Sequence, residues 1–277
     1  MKRVILSALL SLLLAHITWA QDNAAPSYLQ ASDLPYVAAS DDAYRTERCK
    51  LDVYYPESLT DCPVIVWFHG GGLTSGEKFI PELLKDRGYV VVAPNYRLMP
   101  NVTIDACIDD AAAAIAWTFK HANDYGGSAS KIFVTGHSAG GYLTVMTGLD
   151  KTWLQAYGID ADSIRALIPF SPQVISHFTY RRMNGLDYTQ PTIDRFAPLY
   201  HMRNDCPPLI LITGDRELEL LGRYEECAYM WRMMNLIGHP QTKIYELDGF
   251  SHNTMFIPAF HILQQWMKTL LGEKPEF

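Results

Sequence analysis

The chain has 277 residues, of which 48% are hydrophobic and 19% are charged, and its formal net charge is −7. This length and composition are typical of one globular domain of the larger α/β kind, with enough apolar residues for a sizeable core. The chain is acidic and has no basic stripe interleaved with aromatic residues, so we do not expect it to bind nucleic acid.

The N-terminus has the pattern of a secretory signal peptide over residues 1–20. Lys2 and Arg3 precede an apolar run, and Ala20 is a small residue at a plausible cleavage position. The uncharged run from residue 4 to 20 is at the short limit for a membrane-spanning helix. We therefore expect export to the periplasm or the extracellular medium, cleavage near Ala20, and no stable membrane insertion afterwards.

The polar, proline-containing residues 21–35 then predict a loose N-terminal lead. Beyond it, short apolar runs alternate with helical patterns. Strands are predicted at residues 50–56, 63–70, 89–96, 131–137, 164–172, 207–215 and 242–249. Helices are predicted at residues 80–88, 103–127, 140–150, 223–238 and 259–272. This alternation predicts an α/β fold with a mainly parallel sheet covered on both faces, and we treat residues 21–277 as one domain.

One segment, residues 173–206, breaks this rhythm because it has no clear period. A long irregular segment after a strand end is usually a lid or a binding loop, so we predict a small cap here rather than a second domain. Its candidate substrate-facing side chains are Phe178, Tyr180, Arg181, Arg182 and Tyr188.

The five cysteines have no spacing that indicates a disulfide framework or a metal site. They are Cys49, Cys62, Cys107, Cys206 and Cys227. A chain of this size does not need disulfides to fold, so we expect mostly buried single thiols. The histidines lack metal-ligand spacing and no dinucleotide-binding fingerprint occurs, so the sequence implies no cofactor and no metal.

Ser138 lies in a Gly-x-Ser-x-Gly frame, Gly136 to Gly140, between a predicted strand and a predicted helix. In a sharp strand–turn–helix connection the serine takes an unfavourable backbone conformation, and only small neighbours avoid clashes. The helix that follows also places its first N–H groups beside the serine. This context predicts that Ser138 is a nucleophile.

Two further segments supply the groups that such a serine needs. The stretch "FHGGG" follows a predicted strand, and the N–H groups of Gly71, Gly72 and Ala139 are predicted to form an oxyanion hole. His252 lies in a loop after the last predicted strand, in the chain order serine, acid, histidine. His252 is therefore the candidate general base.

These pieces resemble one known group of enzymes along the whole of residues 50–256. "FHGGGLTSGEK", "VVAPNYRLMP", "KIFVTGHSAGG", "LITGDRELELL" and "LDGFSHNTM" are similar to segments of α/β-hydrolase-fold esterases with an HGGG loop. This group comprises the hormone-sensitive-lipase-like family and the bacterial carbohydrate and feruloyl esterases. The resemblance implies an α/β-hydrolase fold with a small cap after the sixth strand, the same roles for the residues above, and structural support from Tyr96 and Arg97.

The acid of the triad is where the chain departs from this pattern. Relatives commonly carry an aspartate about three residues after the small residue that ends the strand, which here is Gly214. Register favours Glu217, whereas residue type favours Asp215, and either carboxylate can hold the histidine. We weigh Glu217 above Asp215, and we place Glu219 third because an extended strand end should carry it past the histidine.

The resemblance implies hydrolysis of short-acyl or carbohydrate-linked esters, of acetyl or feruloyl type, through an acyl-enzyme. The expected partner is a small ester or an acylated carbohydrate. Two alternative activities use the same catalytic groups. The first is that of an arylformamidase-like amidase, but Leu73 occupies the position where such enzymes usually have a tryptophan. The second is that of a serine peptidase, but such peptidases usually carry an added propeller, for which the chain has no room. The remaining alternative is a catalytically inactive binding protein with the hydrolase fold.

Overall fold

A computed structural model describes residues 26–38, 41–187, 189–220 and 222–273 of the chain. The predicted signal peptide and Tyr188 lie outside the described residues. Among the described residues, no helix has both the length and the apolar character needed to cross a membrane.

In the part of the chain that the structure describes, eight strands form one sheet. They are β1 (Tyr28–Pro35), β2 (Lys50–Pro56), β3 (Cys62–Phe68), β4 (Val90–Pro94), β5 (Gly127–His137), β6 (Ala166–Phe170), β7 (Leu209–Gly214) and β8 (Thr242–Leu247). Their order in the sheet is β1-β2-β4-β3-β5-β6-β7-β8. The pairs β1–β2 and β2–β4 are antiparallel, and all the other neighbouring pairs are parallel. The predicted α/β class with a mostly parallel sheet is confirmed.

In the described ranges, seven α-helices connect or flank these strands. They are α1 (Ala43–Arg48), α2 (Ile104–His121), α3 (Ala139–Leu149), α4 (Lys151–Gln155), α5 (Phe178–Met183), α6 (Arg223–Leu236) and α7 (Phe256–Leu270). Short 3-10 turns lie at Glu82–Leu84, Ala122–Tyr125, Ala161–Ser163 and Pro198–His201.

Two apolar cores lie on the two faces of the sheet. Along β3, Val64, Val66 and Phe68 join the core beneath α2, α3 and α6, whereas Ile65 and Trp67 join the core beneath α7. This division follows from the alternation of side chains along a strand. Because both faces are covered, the central strands are continuous apolar runs, which is why the sequence locates them well.

The structure corrects two predictions of local structure. Residues 28–35, predicted as part of a loose lead, form β1 at the edge of the sheet, paired with β2. An edge strand with mostly exposed side chains needs no apolar alternation, because its stability comes from main-chain hydrogen bonds. The helix predicted at residues 80–88 is only a 3-10 turn, and Asp86 has a φ of 56°, which ends any helix there.

All five cysteines are buried free thiols, as the sequence predicts. One of them, Cys206, has its Sγ 3.3 Å from Nε2 of His239. Burial raises the pKa of the Cys206 thiol to about 12, so it remains protonated and unreactive at neutral pH. His239 also contacts the hydroxyl of Thr242 at 2.6 Å. Cys206 and His239 therefore have a structural role.

Candidate active site

Ser138 lies at the sharp turn between β5 and α3, with φ 57° and ψ −113°. Its N–H donates to the carbonyl oxygen of Phe170 at 2.8 Å, which ties the turn to the end of β6. A Cβ on Gly140 would lie 2.1 Å from the carbonyl oxygen of Phe68, and one on Gly136 would lie 2.7 Å from that same atom. Only glycine fits at these two positions, so the local sequence permits the strained conformation that Ser138 has in a nucleophile elbow.

His252 is held by a buried carboxylate, and that carboxylate belongs to Glu219. Nδ1 of His252 lies 2.8 Å from Oε2 of Glu219, and their side chains are 12% and 1% exposed. The N–H groups of Gly214 and Leu220 also donate to this carboxylate, at 2.9 and 3.0 Å. Burial opposes its ionisation, but the hydrogen bond and charge of His252 and the bond from Gly214 lower the pKa of Glu219 to about 2. Glu219 is therefore ionised at neutral pH.

The preference for Glu217 or Asp215 as the acid is wrong. Glu217 is exposed, and among the described residues the carboxylate that pairs with His252 is that of Glu219. The carboxylate of Asp215 instead accepts from the N–H groups of Glu217 and Gly249, at 2.9 and 2.8 Å. Asp215 therefore orders the loop that follows β7, and Glu219, which we ranked third, contacts the histidine.

The physical reason is the path of the chain after β7. The N–H of Glu219 donates to the carbonyl oxygen of Asp215 at 2.8 Å, so residues 215–219 form a single tight turn instead of an extended strand end. This turn brings Glu219 back to the N–H of Gly214, at the end of the sheet. The sequence signal for it is the aspartate at the start of the turn, since Asp side chains commonly bind the N–H two residues on.

His137, which precedes Ser138 in the chain, contacts His252 at the C-terminal edge of the sheet. The rings of His137 and His252 have centroids 4.6 Å apart, and Nε2 of His137 donates to the carbonyl oxygen of His252 at 2.9 Å. Burial, followed by the charge of His252, lowers the pKa of His137 to about 4, so His137 is neutral. Oγ of Ser138 and Nε2 of His252 have no hydrogen bond to any described residue. In such sites the serine–histidine bond commonly tightens only when substrate binds.

The glycine loop lies directly against Ser138. A Cβ on Gly70 would be 3.5 Å from Cβ of Ser138. The carbonyl of Gly71 accepts from the N–H groups of Thr74 and Ser75, each at 3.0 Å, which forms a tight turn. Within the described ranges, the N–H groups of Gly71, Gly72 and Ala139 have no acceptor. They are therefore free to donate to a bound oxygen.

Buried side chains hold this loop from below. The hydroxyl of Tyr96 donates to the carbonyl oxygen of His69 at 2.9 Å, and the two rings stack with centroids 4.4 Å apart. The Arg97 guanidinium forms two hydrogen bonds of 2.8 Å with the fully buried carboxylate of Asp110. The structural role expected for Tyr96 and Arg97 is thus confirmed.

The segment predicted as a cap, residues 173–206, connects β6 to β7 and contacts the glycine loop. The hydroxyl of Thr179 donates to the carbonyl oxygen of Gly72 at 2.6 Å. A Cβ on Gly72 would lie 3.2 Å from Cζ of Phe178. Arg181, expected to face substrate, is instead buried and donates to the carbonyl oxygens of Ser176 and Gln190 at 2.9 and 2.7 Å.

Two other predicted cap residues have simpler positions. Tyr180 packs against Phe196 with ring centroids 4.9 Å apart, whereas Arg182 is exposed.

Among the described residues, no group of three or more His, Cys, Asp or Glu side chains is arranged to hold a metal ion.

Comparison with known sequences identifies relatives over most of the chain. A family model described as BD-FAE matches residues 51–167. An AB hydrolase superfamily protein of Schizosaccharomyces pombe is 36% identical over 226 residues, which are 71% of this chain and 64% of that protein. The carboxylic ester hydrolase LipN of Mycobacterium tuberculosis is 34% identical over 166 residues, which are 56% of this chain and 44% of LipN. The chain thus spans about half the length of these curated relatives.

Solved structures match almost the whole fold. A truncated form of a carbohydrate esterase from gut microbiota has a TM-score of 0.73 at 16% identity, and the match covers 89% of this chain and 97% of that one. Esterase 2 of Thermogutta terrifontis, phosphorylated by paraoxon, has a TM-score of 0.70 at 23% identity, with 91% and 97% covered. Sheet order, serine turn and structural neighbours agree that the chain has the α/β-hydrolase fold, and its sequence is similar to those of AB hydrolase superfamily proteins and carboxylic ester hydrolases.

Proposed function

We propose that this protein is a serine carboxylic ester hydrolase. The observation that carries this proposal is the arrangement around Ser138. A strained serine stands beside N–H groups that have no acceptor among the described residues, and the nearby histidine has one ring nitrogen bound to a buried, ionised carboxylate. These are the three elements that acyl transfer through a serine needs: a nucleophile, an oriented base and an oxyanion hole.

The reaction follows from the charges of these groups. Because Glu219 accepts the proton of Nδ1, the free nitrogen of His252 is Nε2, which removes the hydroxyl proton as Ser138 attacks the ester carbonyl. The N–H groups of Gly71, Gly72 and Ala139 stabilise the negative oxygen that forms. His252 then protonates the departing alcohol, and water releases the acyl group by the same steps in reverse.

For the substrate, we propose short-acyl or carbohydrate-linked esters of acetyl or feruloyl type. The support is the match to the BD-FAE family model and the structural likeness to a carbohydrate esterase. The second support is the small size of the cap, because a long apolar acyl chain needs a larger apolar cap than residues 173–206 provide.

The test is an ester panel with wild type and Ser138→Ala. It contains p-nitrophenyl esters of rising chain length, acetylated xylan and methyl ferulate, with N-formylkynurenine and a peptide amide for the two alternative activities. We expect wild type to hydrolyse short esters, and Ser138→Ala to lose on the order of 10⁶ in kcat with an unchanged melting temperature.

Covalent labelling gives an independent readout of the same proposal. We expect paraoxon to inactivate the wild type and to add one diethyl phosphoryl group per chain, and to leave Ser138→Ala unmodified in the mass spectrum. An inert wild type, or a Ser138→Ala protein with normal turnover, contradicts the proposed function. Hydrolysis confined to the formamide or the peptide amide assigns the chain to the corresponding alternative.

A further inference from the structure

Ser171, the residue after β6, touches both members of the histidine–carboxylate pair. It is fully buried, and its Oγ lies 2.9 Å from Nδ1 of His252. The same hydroxyl also interacts with the carboxylate of Glu219, which approaches the same Nδ1 at 2.8 Å. Ser171 was not among the residues singled out from the sequence, because "FSP" matches no catalytic pattern.

The backbone of Ser171 is strained. Its φ is 45°, in the left-handed region that disfavours L residues with a Cβ and that glycine adopts readily. The surrounding structure imposes this conformation. The N–H of Ser171 donates to the carbonyl oxygen of Ile212 at 2.6 Å, and its own carbonyl accepts from the Arg223 guanidinium. These main-chain bonds do not need the serine side chain, so glycine would satisfy the backbone better.

The neighbours of the hydroxyl decide where its proton points. Arg223 is 2% exposed, and its guanidinium lies 3.5 Å from Oγ of Ser171. A guanidinium only donates hydrogen bonds and an ionised carboxylate only accepts them. The Ser171 proton must therefore point to Glu219, which leaves an oxygen lone pair toward Nδ1–H of His252.

We propose that Ser171 is a positioning residue, whose hydroxyl holds the Glu219 carboxylate and the His252 ring in the orientation that catalysis needs. This inference rests on the proposed function, since it concerns the same site. A side chain retained on a backbone that favours glycine is typical of functional sites, where strain persists because the side chain has a task.

The test compares Ser171→Gly and Ser171→Ala with wild type. Both substitutions remove the hydroxyl, but only glycine also relieves the strain. We expect Ser171→Gly to melt at the same temperature as wild type or higher, while its kcat falls about tenfold or more and its KM changes little. Ser171→Ala should lose as much kcat without the gain in stability. A structural role alone predicts lower stability with normal turnover in the folded protein.

A double-mutant cycle with Glu219→Gln separates positioning from a general disturbance. If Ser171 acts through Glu219, its removal should cost much less kcat when the carboxylate is already absent. Full kcat in Ser171→Gly, or losses that simply add in the double variant, overturns this inference while wild-type ester hydrolysis stands. A wild type that hydrolyses no ester removes the proposed function itself, so the two failures are distinguishable.

Discussion

At the scale of single residues, the site depends on a buried charge and on what surrounds it. Glu219 is 1% exposed at its side chain, and it keeps its charge because His252 and two main-chain N–H groups bind it. His137 is also buried but is neutral, and it donates its proton to a carbonyl oxygen. Hydrogen-bond partners thus keep Glu219 charged in spite of its burial, whereas burial itself keeps His137 neutral.

The prediction for Glu219 contrasts two carboxylates two residues apart. In Glu219→Gln, the amide cannot stabilise the imidazolium and its NH₂ group favours the wrong histidine tautomer. We expect kcat on a short ester to fall by on the order of 10³ to 10⁴. Glu217→Gln is the matched control, because Glu217 is exposed, and it should keep nearly normal kcat/KM. A large loss of activity in Glu217→Gln with normal activity in Glu219→Gln would identify Glu217 as the acid of the triad. It would also show that the turn at 215–219 opens in solution.

At the scale of elements, the segment between β6 and β7 and the glycine loop form one unit. Thr179, in α5, is fully buried and binds the carbonyl oxygen of Gly72, one of the two loop residues predicted to bind the oxyanion. Leu73 is fixed from the other side, since its carbonyl accepts from the N–H of Met99 at 2.8 Å. The orientation of the loop N–H groups therefore depends on α5 as well as on the sheet.

We expect Thr179→Val, which keeps the shape of the side chain, to leave the Gly72 carbonyl unsatisfied and to loosen the oxyanion hole. The cost of an unsatisfied buried acceptor corresponds to a loss of about tenfold in kcat, with little change in KM. Thr179→Ser retains the hydroxyl and should preserve most of the activity. Equal kinetics for the valine and serine variants would show that α5 does not position the loop.

At the scale of the whole molecule, the sheet provides a rigid base and its C-terminal edge carries the chemistry. Ser138, Glu219 and His252 follow β5, β7 and β8, and the glycine loop follows β3. Parallel strands bring these sequence-distant segments to one edge, which is where open α/β sheets bind their ligands.

Export is a further proposal at this scale, and its support is the charge and hydropathy pattern of residues 1–20. In a host with a secretory pathway, we expect the mature protein outside the cytoplasm with an N-terminus near Gln21. N-terminal sequencing of the exported fraction measures this. A matched variant with Leu12 and Leu13 changed to Asp should remain in the cytoplasm uncleaved, because the secretory pathway does not recognise a signal peptide whose apolar core carries charges. Export of that variant, or a wild type retained at full length inside the cell, contradicts the proposal.

The sequence by itself determined the features that depend on local pattern. The buried strands are visible because both faces of the sheet are covered, which makes them continuous apolar runs. The elbow around Ser138 can be recognised in the sequence because side chains at positions 136 and 140 would clash with the main chain, so both positions are glycine. The edge strand β1 was missed, since its main-chain pairing requires no particular side chains.

The tertiary structure decided which carboxylate meets the histidine and which hydroxyl supports it. Asp215, Glu217 and Glu219 are close in sequence, and the choice among them depends on a main-chain turn that positions Glu219 against Gly214. Ser171 reaches His252 because β6 lies beside both β5 and β7 in the sheet. Such contacts join residues 33 to 81 positions apart, and they are set by strand order and loop path, which a local pattern alone does not determine.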